Sequence, residues 1–252
     1  MKLWLLFRIE LIRGFWQMKR YPFDTVIGFI GLGTIFFLLL GAGRVVSGAA
    51  PSAEGISNLI LTYVLGFLVL SEISAPSQNI SQESRSGTLE QLYMSGHRLP
   101  IILIARALAS IASSLVFMTI LLLSLLFLTS TKLEFSVWML PPLFCMTTSA
   151  LGLGFIFGAV ALLVKKIDSI FFFVQLLMFA LTSSAAPSVW WQYLIPIAPA
   201  AGLVRAIATG TNPPLEALLW VLVNAAAWLL FGIVMFQLAL RMAQQRGLLG
   251  HE

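Results

Sequence analysis

Six stretches of this sequence are long and apolar enough to cross a lipid bilayer: Phe23 to Gly43, Ile56 to Ile80, Leu99 to Thr129, Phe135 to Val164, Ile167 to Ala186 and Pro214 to Leu240. A bilayer core takes about 20 mainly apolar residues per helix. Inside lipid every backbone N–H and C=O needs a partner within the protein, so such segments fold as helices. The expected fold is therefore an all-α, polytopic integral membrane protein with six transmembrane helices. Composition agrees, since only 10% of the 252 residues are charged, against about 25% in a soluble domain. The third and fourth stretches exceed a perpendicular crossing, which predicts tilt or an interfacial extension.

Residues 1–22 read differently. The apolar run from Leu3 to Phe7 is broken by Arg8, Glu10 and Arg13, and no small-residue cleavage site follows, so a signal peptide is not expected. Trp4, Phe7, Leu11, Phe15 and Met18 recur at helical spacing, while Glu10, Arg13, Gln17 and Arg20 form a second row. This predicts an amphipathic helix lying in the membrane interface and ending at Pro22. Residues 23–252 then form the six-span domain.

The distribution of positive charge gives an orientation. With the N-terminus inside, all of the 15 Lys and Arg except Arg44, Lys132 and Arg205 fall on the cytoplasmic side. Six spans then place both termini in the cytoplasm. The net charge of +5 is spread singly along the ends of apolar runs, a pattern suited to lipid headgroups rather than nucleic acid.

Few residues could do chemistry inside the membrane. Glu72 is the one acidic residue well within a span, where a charge costs about 2.5 to 3.5 kcal/mol and must face protein, water or a partner. It reads either as a hydrogen-bonded packing residue beside a Ser or Gln, or as a substrate or proton site. Neither His97 nor His251 lies in a span, so no intramembrane metal cluster is expected. None of the five lysines follows a glycine, so the chain lacks a phosphate-binding P-loop and is not expected to hydrolyse ATP by that route. The lone Cys145 sits in an apolar run, as a packing residue would. Small residues at Ala150, Gly154 and Gly158, and at Gly28, Gly31 and Gly33, mark places where helices could approach closely.

The polar connection 81–98 stands out from these surroundings. Thr88 with Gln91 fits a capping box, Gly87 with Glu90 offers an alternative start, and Gly96 would stop a short helix from Leu89 to Met94. That helix would present Leu89, Leu92 and Tyr93 on one face, flanked by Glu90 and Arg85. Such an element could be an interfacial turn or a plug for a groove on another protein.

The stretch ESRSGTLEQLYMSG, Glu83 to Gly96, following a second span and preceding a long third, resembles the pattern of the type-two ATP-binding-cassette (ABC) exporter permeases. Glu83, Gly87, Thr88, Leu89, Glu90 and Leu92 together carry the resemblance; the family usually has a second acidic residue where this chain has Ser84 and Arg85. The resemblance implies a cytoplasmic coupling helix in this loop that docks on a separate ABC ATPase subunit. Glu83, Arg85, Gly87, Thr88, Leu89, Glu90, Leu92 and Tyr93 would form that contact. It further implies a second permease subunit, in a homodimer or heterodimer, and residence in the cell inner membrane. Cofactors are expected only through the partner, which would bind ATP and Mg. The resemblance also implies an extracellular re-entrant helical hairpin over 186–212, where prolines and the paired Trp190 and Trp191 already argue against a watery loop. A substrate pathway between subunits would be lined by the second and fifth spans, through Glu72, Phe172, Gln175 and Met178. Hydrophobic drug, lipid, glycan, peptide and ion are all open as substrate. A secondary transporter or a membrane assembly or anchor factor would be the alternative; the first calls for embedded charge pairs or broken helices in repeated halves, and the second needs no coupling helix.

Overall fold

The computed structural model describes residues 2–48, 52–85, 99–131, 133, 135–163, 168–184, 187 and 189–245. These are almost wholly helical, with no strand among them. The helices are α1 (Lys2–Arg20), α2 (Pro22–Ser47), α3 (Ala53–Arg85), α4 (Leu99–Thr129), α5 (Leu140–Leu163), α6 (Asp168–Leu181), α7 (Ala198–Ala208) and α8 (Leu215–Gln245). Single 3-10 turns stand at Val137–Met139 and Trp190–Leu194.

Local sequence accounts for the boundaries. Pro22 opens α2, where the missing N–H costs nothing. Gly48 closes that helix in a left-handed conformation (φ 66°), its N–H donating to the Arg44 carbonyl. Before α5, the Ser136 hydroxyl accepts from the Trp138 N–H at 3.3 Å, and Pro141 and Pro142 sit in the first helical turn. α3 continues to Arg85 with Pro76 inside it, so Ser81 to Arg85 extend the second span as helix.

Five helices among the described residues are long and apolar enough to span: Pro22–Val45, Glu54–Gln78, Arg106–Thr129, Val137–Leu163 and Leu215–Ala243. They fall on five of the six expected stretches. The sixth corresponds to α6, whose 14 described residues reach about 21 Å, short of a full crossing.

α5 is the centre of the bundle. Of its apolar window 61% is buried, against 56% for α3 and 6% for α2. Its most extensive contact is with α8, and α3 packs on its other side. Backbones meet directly at these crossings: a Cβ on Gly152 would strike the backbone of Trp228 and Leu229, and one on Gly154 would lie 2.8 Å from the Glu72 carbonyl. Gly154 therefore serves packing within the chain, as small residues do between membrane helices. Most of the peripheral α2 is exposed. It is held by edge-to-face pairs, Phe36 on Tyr63 at 5.4 Å and Phe29 on Phe117 at 5.7 Å, and by the Tyr63 hydroxyl donating to the Leu32 carbonyl. α1 packs along α4, tied by an ion pair between Glu10 and Arg106 at 2.9 Å.

Candidate functional site

Three places carry polar groups that the apolar bundle does not need for packing alone. The first is on α3, where Ser71, Glu72, Ser74 and Ser77 follow one another along the helix. Glu72 is 0% exposed. Ser71 donates to the Ser114 hydroxyl of α4 at 3.0 Å and lies 3.5 Å from Glu72 Oε1, while Glu72 Oε2 has no partner among the described residues. On the opposite side, Gln175 of α6 donates to the Ser74 hydroxyl at 2.7 Å, and Ser74 donates to the Leu70 carbonyl. Met178, one turn further, is buried in the main apolar core with Val69, Met146 and Ala200. The four expected pathway residues thus separate. Glu72 and Met178 are enclosed within this chain, Gln175 is half-buried and bonded to α3, and the side chain of Phe172 lies outside the described residues. The exposed face of α6 is instead formed by Phe173, Leu176 and Leu177.

The second place is the segment between α6 and α8. Eleven residues of α7 are too few to cross a bilayer, yet nine of them are buried. Entry to α7 runs through Ile197, a non-glycine residue at φ 69° and ψ −50°, with the Ala198 N–H donating to the Pro196 carbonyl. This is the strained form of the γ-turn, and Ile197 is held in it with no exposed surface. Polar ties from three helices fix the segment. The Asn224 amide of α8 donates to the carbonyls of Tyr193 at 2.6 Å and Ile195 at 3.4 Å and accepts from Ser149 of α5 at 3.4 Å. The Trp228 indole donates to the Leu194 carbonyl at 3.1 Å. Arg205 of α7 donates to the Ser183 carbonyl at 2.6 Å, to the Thr182 carbonyl, and to the Thr62 hydroxyl of α3 at 2.9 Å. Its guanidinium caps the end of α6, where helical carbonyls lack intrahelical donors. Sequence reading assigned Arg205 only a topological charge and passed over Asn224. The available signal was their isolation: each is a strong hydrogen-bonding group in an apolar surrounding, and such groups are expected to be paired.

The third place is the Glu83 to Gly96 motif. Glu83 and Arg85 are the last residues of α3, and nothing is described of their side chains. Gly87, Thr88, Leu89, Glu90, Leu92 and Tyr93 lie outside the described residues. The first three residues of the motif, Glu83 to Arg85, therefore belong to the helix that packs against α4, α5 and α6.

Comparison with known proteins adds one match. A family model described as ABC-2 type transporter matches residues 5–210, which takes in α1 to α7 and the Glu83 to Gly96 motif. No curated protein matches the sequence.

Proposed function

The chain belongs to the ABC-2 type transporter family, and we propose that this permease subunit serves an ATP-driven exporter, paired with a second permease subunit and coupled to separate ATPase subunits. The observation that carries the proposal is the continuity of α3. Its 33 residues form one helix about 50 Å long, ending at Glu83 and Arg85 where the motif begins. A displacement applied to the motif reaches α4, α5 and α6 through that helix, because all three pack against it. The motif residues Gly87 to Tyr93 form the coupling helix on this reading, with Leu89, Leu92 and Tyr93 as its apolar plug. The partner supplies the energy of ATP hydrolysis; this chain supplies the lever and the bundle it moves.

Two further features support the reading. α2 leaves most of its length unpacked, and a Cβ on Gly28, Gly31 or Gly33 would meet nothing within 4 Å; such a face fits a second subunit. The segment of Trp190–Leu194 and α7 is short, apolar and pinned from three sides, as a re-entrant hairpin on the outer side would be. On this reading the expected stretch Ile167 to Ala186, of which α6 is the described part, is the remaining span and returns α8 to the cytoplasm. The exposed α6 face and Gln175 then border the pathway between subunits.

The experiment is nucleotide binding and ATPase activity of the purified chain, measured alone and with a co-expressed ABC ATPase subunit. Both should be absent from the chain alone and present in the complex, with hydrolysis altered by the permease. Specific ATP binding by the isolated chain would contradict the proposal.

A further inference from the structure

Between α1 and the neighbouring turns of α3 and α4 lies a cleft of about 920 Å³. One wall is α1, with Glu10, Arg13, Trp16, Lys19 and Arg20; the other is Gln78 of α3 with Arg106 and Ser110 of α4. The charges are unequal. Glu10 is the only acidic residue among the described residues of the lining, and it already faces two cations, Arg106 at 2.9 Å and Arg13 at 3.7 Å. That leaves Lys19 and Arg20 without a carboxylate partner among the described residues. Both instead lie over aromatic rings, Lys19 5.3 Å from the centre of Trp16 and Arg20 5.7 Å from that of Tyr21. Trp16 is 60% exposed and Tyr21 54%.

These features specify the ligand. Two cations with no carboxylate partner among the described residues, above a wall whose acid is already matched by Arg106 and Arg13, call for an anion. Exposed Trp and Tyr rings beside them are the side chains that settle at the level of lipid headgroups, and the cleft opens between membrane helices. We propose that this cleft binds the phosphate headgroup of an anionic membrane lipid, with Lys19 and Arg20 holding the phosphate and Trp16 and Tyr21 lying against the glycerol and upper acyl region. The ion pair between Glu10 and Arg106 forms the floor and keeps α1 at the right distance from α4. The bound lipid bridges α1 to α3 and α4, the two helices on either side of the 86–98 segment. The proposal stands on the cleft alone and does not depend on the transport reading.

The test is retention of lipid by the intact chain. The protein is reconstituted in phosphatidylcholine nanodiscs containing a minor share of phosphatidylglycerol, released, and its bound lipids are identified by native mass spectrometry. Phosphatidylglycerol should be retained in preference to phosphatidylcholine. The double variant Lys19→Gln, Arg20→Gln should weaken that retention at least about tenfold, with an unchanged elution profile, whereas Arg8→Gln should change it less than about twofold. Arg8 is exposed on the same helix but does not line the cleft. Equal losses in both variants would mean diffuse surface attraction and would overturn the site. Equal retention of phosphatidylcholine, no loss in the double variant, or displacement of the lipid by millimolar inorganic phosphate would overturn it as well.

Discussion

Arg205 and Thr62 lie 143 residues apart in sequence and are joined by a 2.9 Å hydrogen bond. The same guanidinium holds the carbonyls of Thr182 and Ser183 at the end of α6, so one side chain ties α7, α6 and α3 together. All of these acceptors are uncharged, which makes the arrangement a helix cap rather than a salt bridge.

Removing this cap should loosen the end of the bundle where α3, α6 and α7 meet. Arg205→Ala leaves several acceptors unpaired, and hydrogen bonds to a charged group are worth about 1.5 to 3 kcal/mol each, so a clear fall in melting temperature is expected. Arg205→Lys should recover only part of it, because a compact ammonium cannot serve acceptors spread across a planar fork. Thr62→Val should be the mildest, at about 1 kcal/mol. Thermal unfolding in detergent ranks the three; wild-type melting of Arg205→Ala would remove the cap from the account.

The two glycine groups should respond in opposite ways. Gly232→Val drives a side chain into the backbone of Gly152 at the α5 and α8 crossing, and should destabilise the chain by more than the 1 to 3 kcal/mol typical of overpacking, since backbone cannot give way. Gly31→Leu meets open space within the chain and should leave the melting temperature unchanged. If α2 faces a second subunit, Gly31→Leu should instead lower the dimer fraction seen by mass photometry. Unfolding by Gly31→Leu with a normal Gly232→Val would reverse the assignment.

Glu72 separates packing from pathway. Gln has the same shape and can keep the contact with Ser71 without a charge to bury, so Glu72→Gln should be as stable as wild type or more so. Glu72→Lys should prevent accumulation of folded protein. Because Glu72 has no exposed surface, Glu72→Gln should also retain transport. A well-folded Glu72→Gln protein that no longer transports would place the carboxyl in the pathway.

The sequence was most informative where length and period carry the signal. Lipid makes a span legible from one run of apolar residues, and α2, α3, α4, α5 and α8 lie where those runs predicted. The row of Glu10, Arg13 and Arg20 likewise marked the polar side of α1, on which the cleft is now found. Gly154 was readable as a close approach because spacing alone suggests it. Which carbonyls Arg205 and Asn224 would reach was not readable, since their partners are set by the tertiary path of the chain. The same holds for Glu72. The sequence leaves open a carboxyl bonded to a Ser or Gln and one lining a pathway; its enclosure by α4 and α5, and the pairing of Gln175 with Ser74, follow from how α3 is rotated.

Orientation can be checked directly in cells. With the N-terminus inside, cysteines placed at Ser47 and Ser130 in a Cys145→Ser background should react with an impermeant thiol reagent, and one at Ser86 should not. Labelling of the Ser86 position in intact cells would turn the protein over.

If the Glu83 to Gly96 segment couples this bundle to an ATPase, Leu92→Asp should break that coupling. A charge at the centre of a desolvated plug should cost several kcal/mol, in the range of an interface hot spot, whereas Glu90→Ala at the rim should cost much less. The measurement is co-purification of the ATPase with each variant, together with stimulation of its hydrolysis. The account predicts that Leu92→Asp folds and melts as wild type but loses both the ATPase and the stimulation, while Glu90→Ala keeps most of each. Normal co-purification and normal stimulation with Leu92→Asp would contradict it.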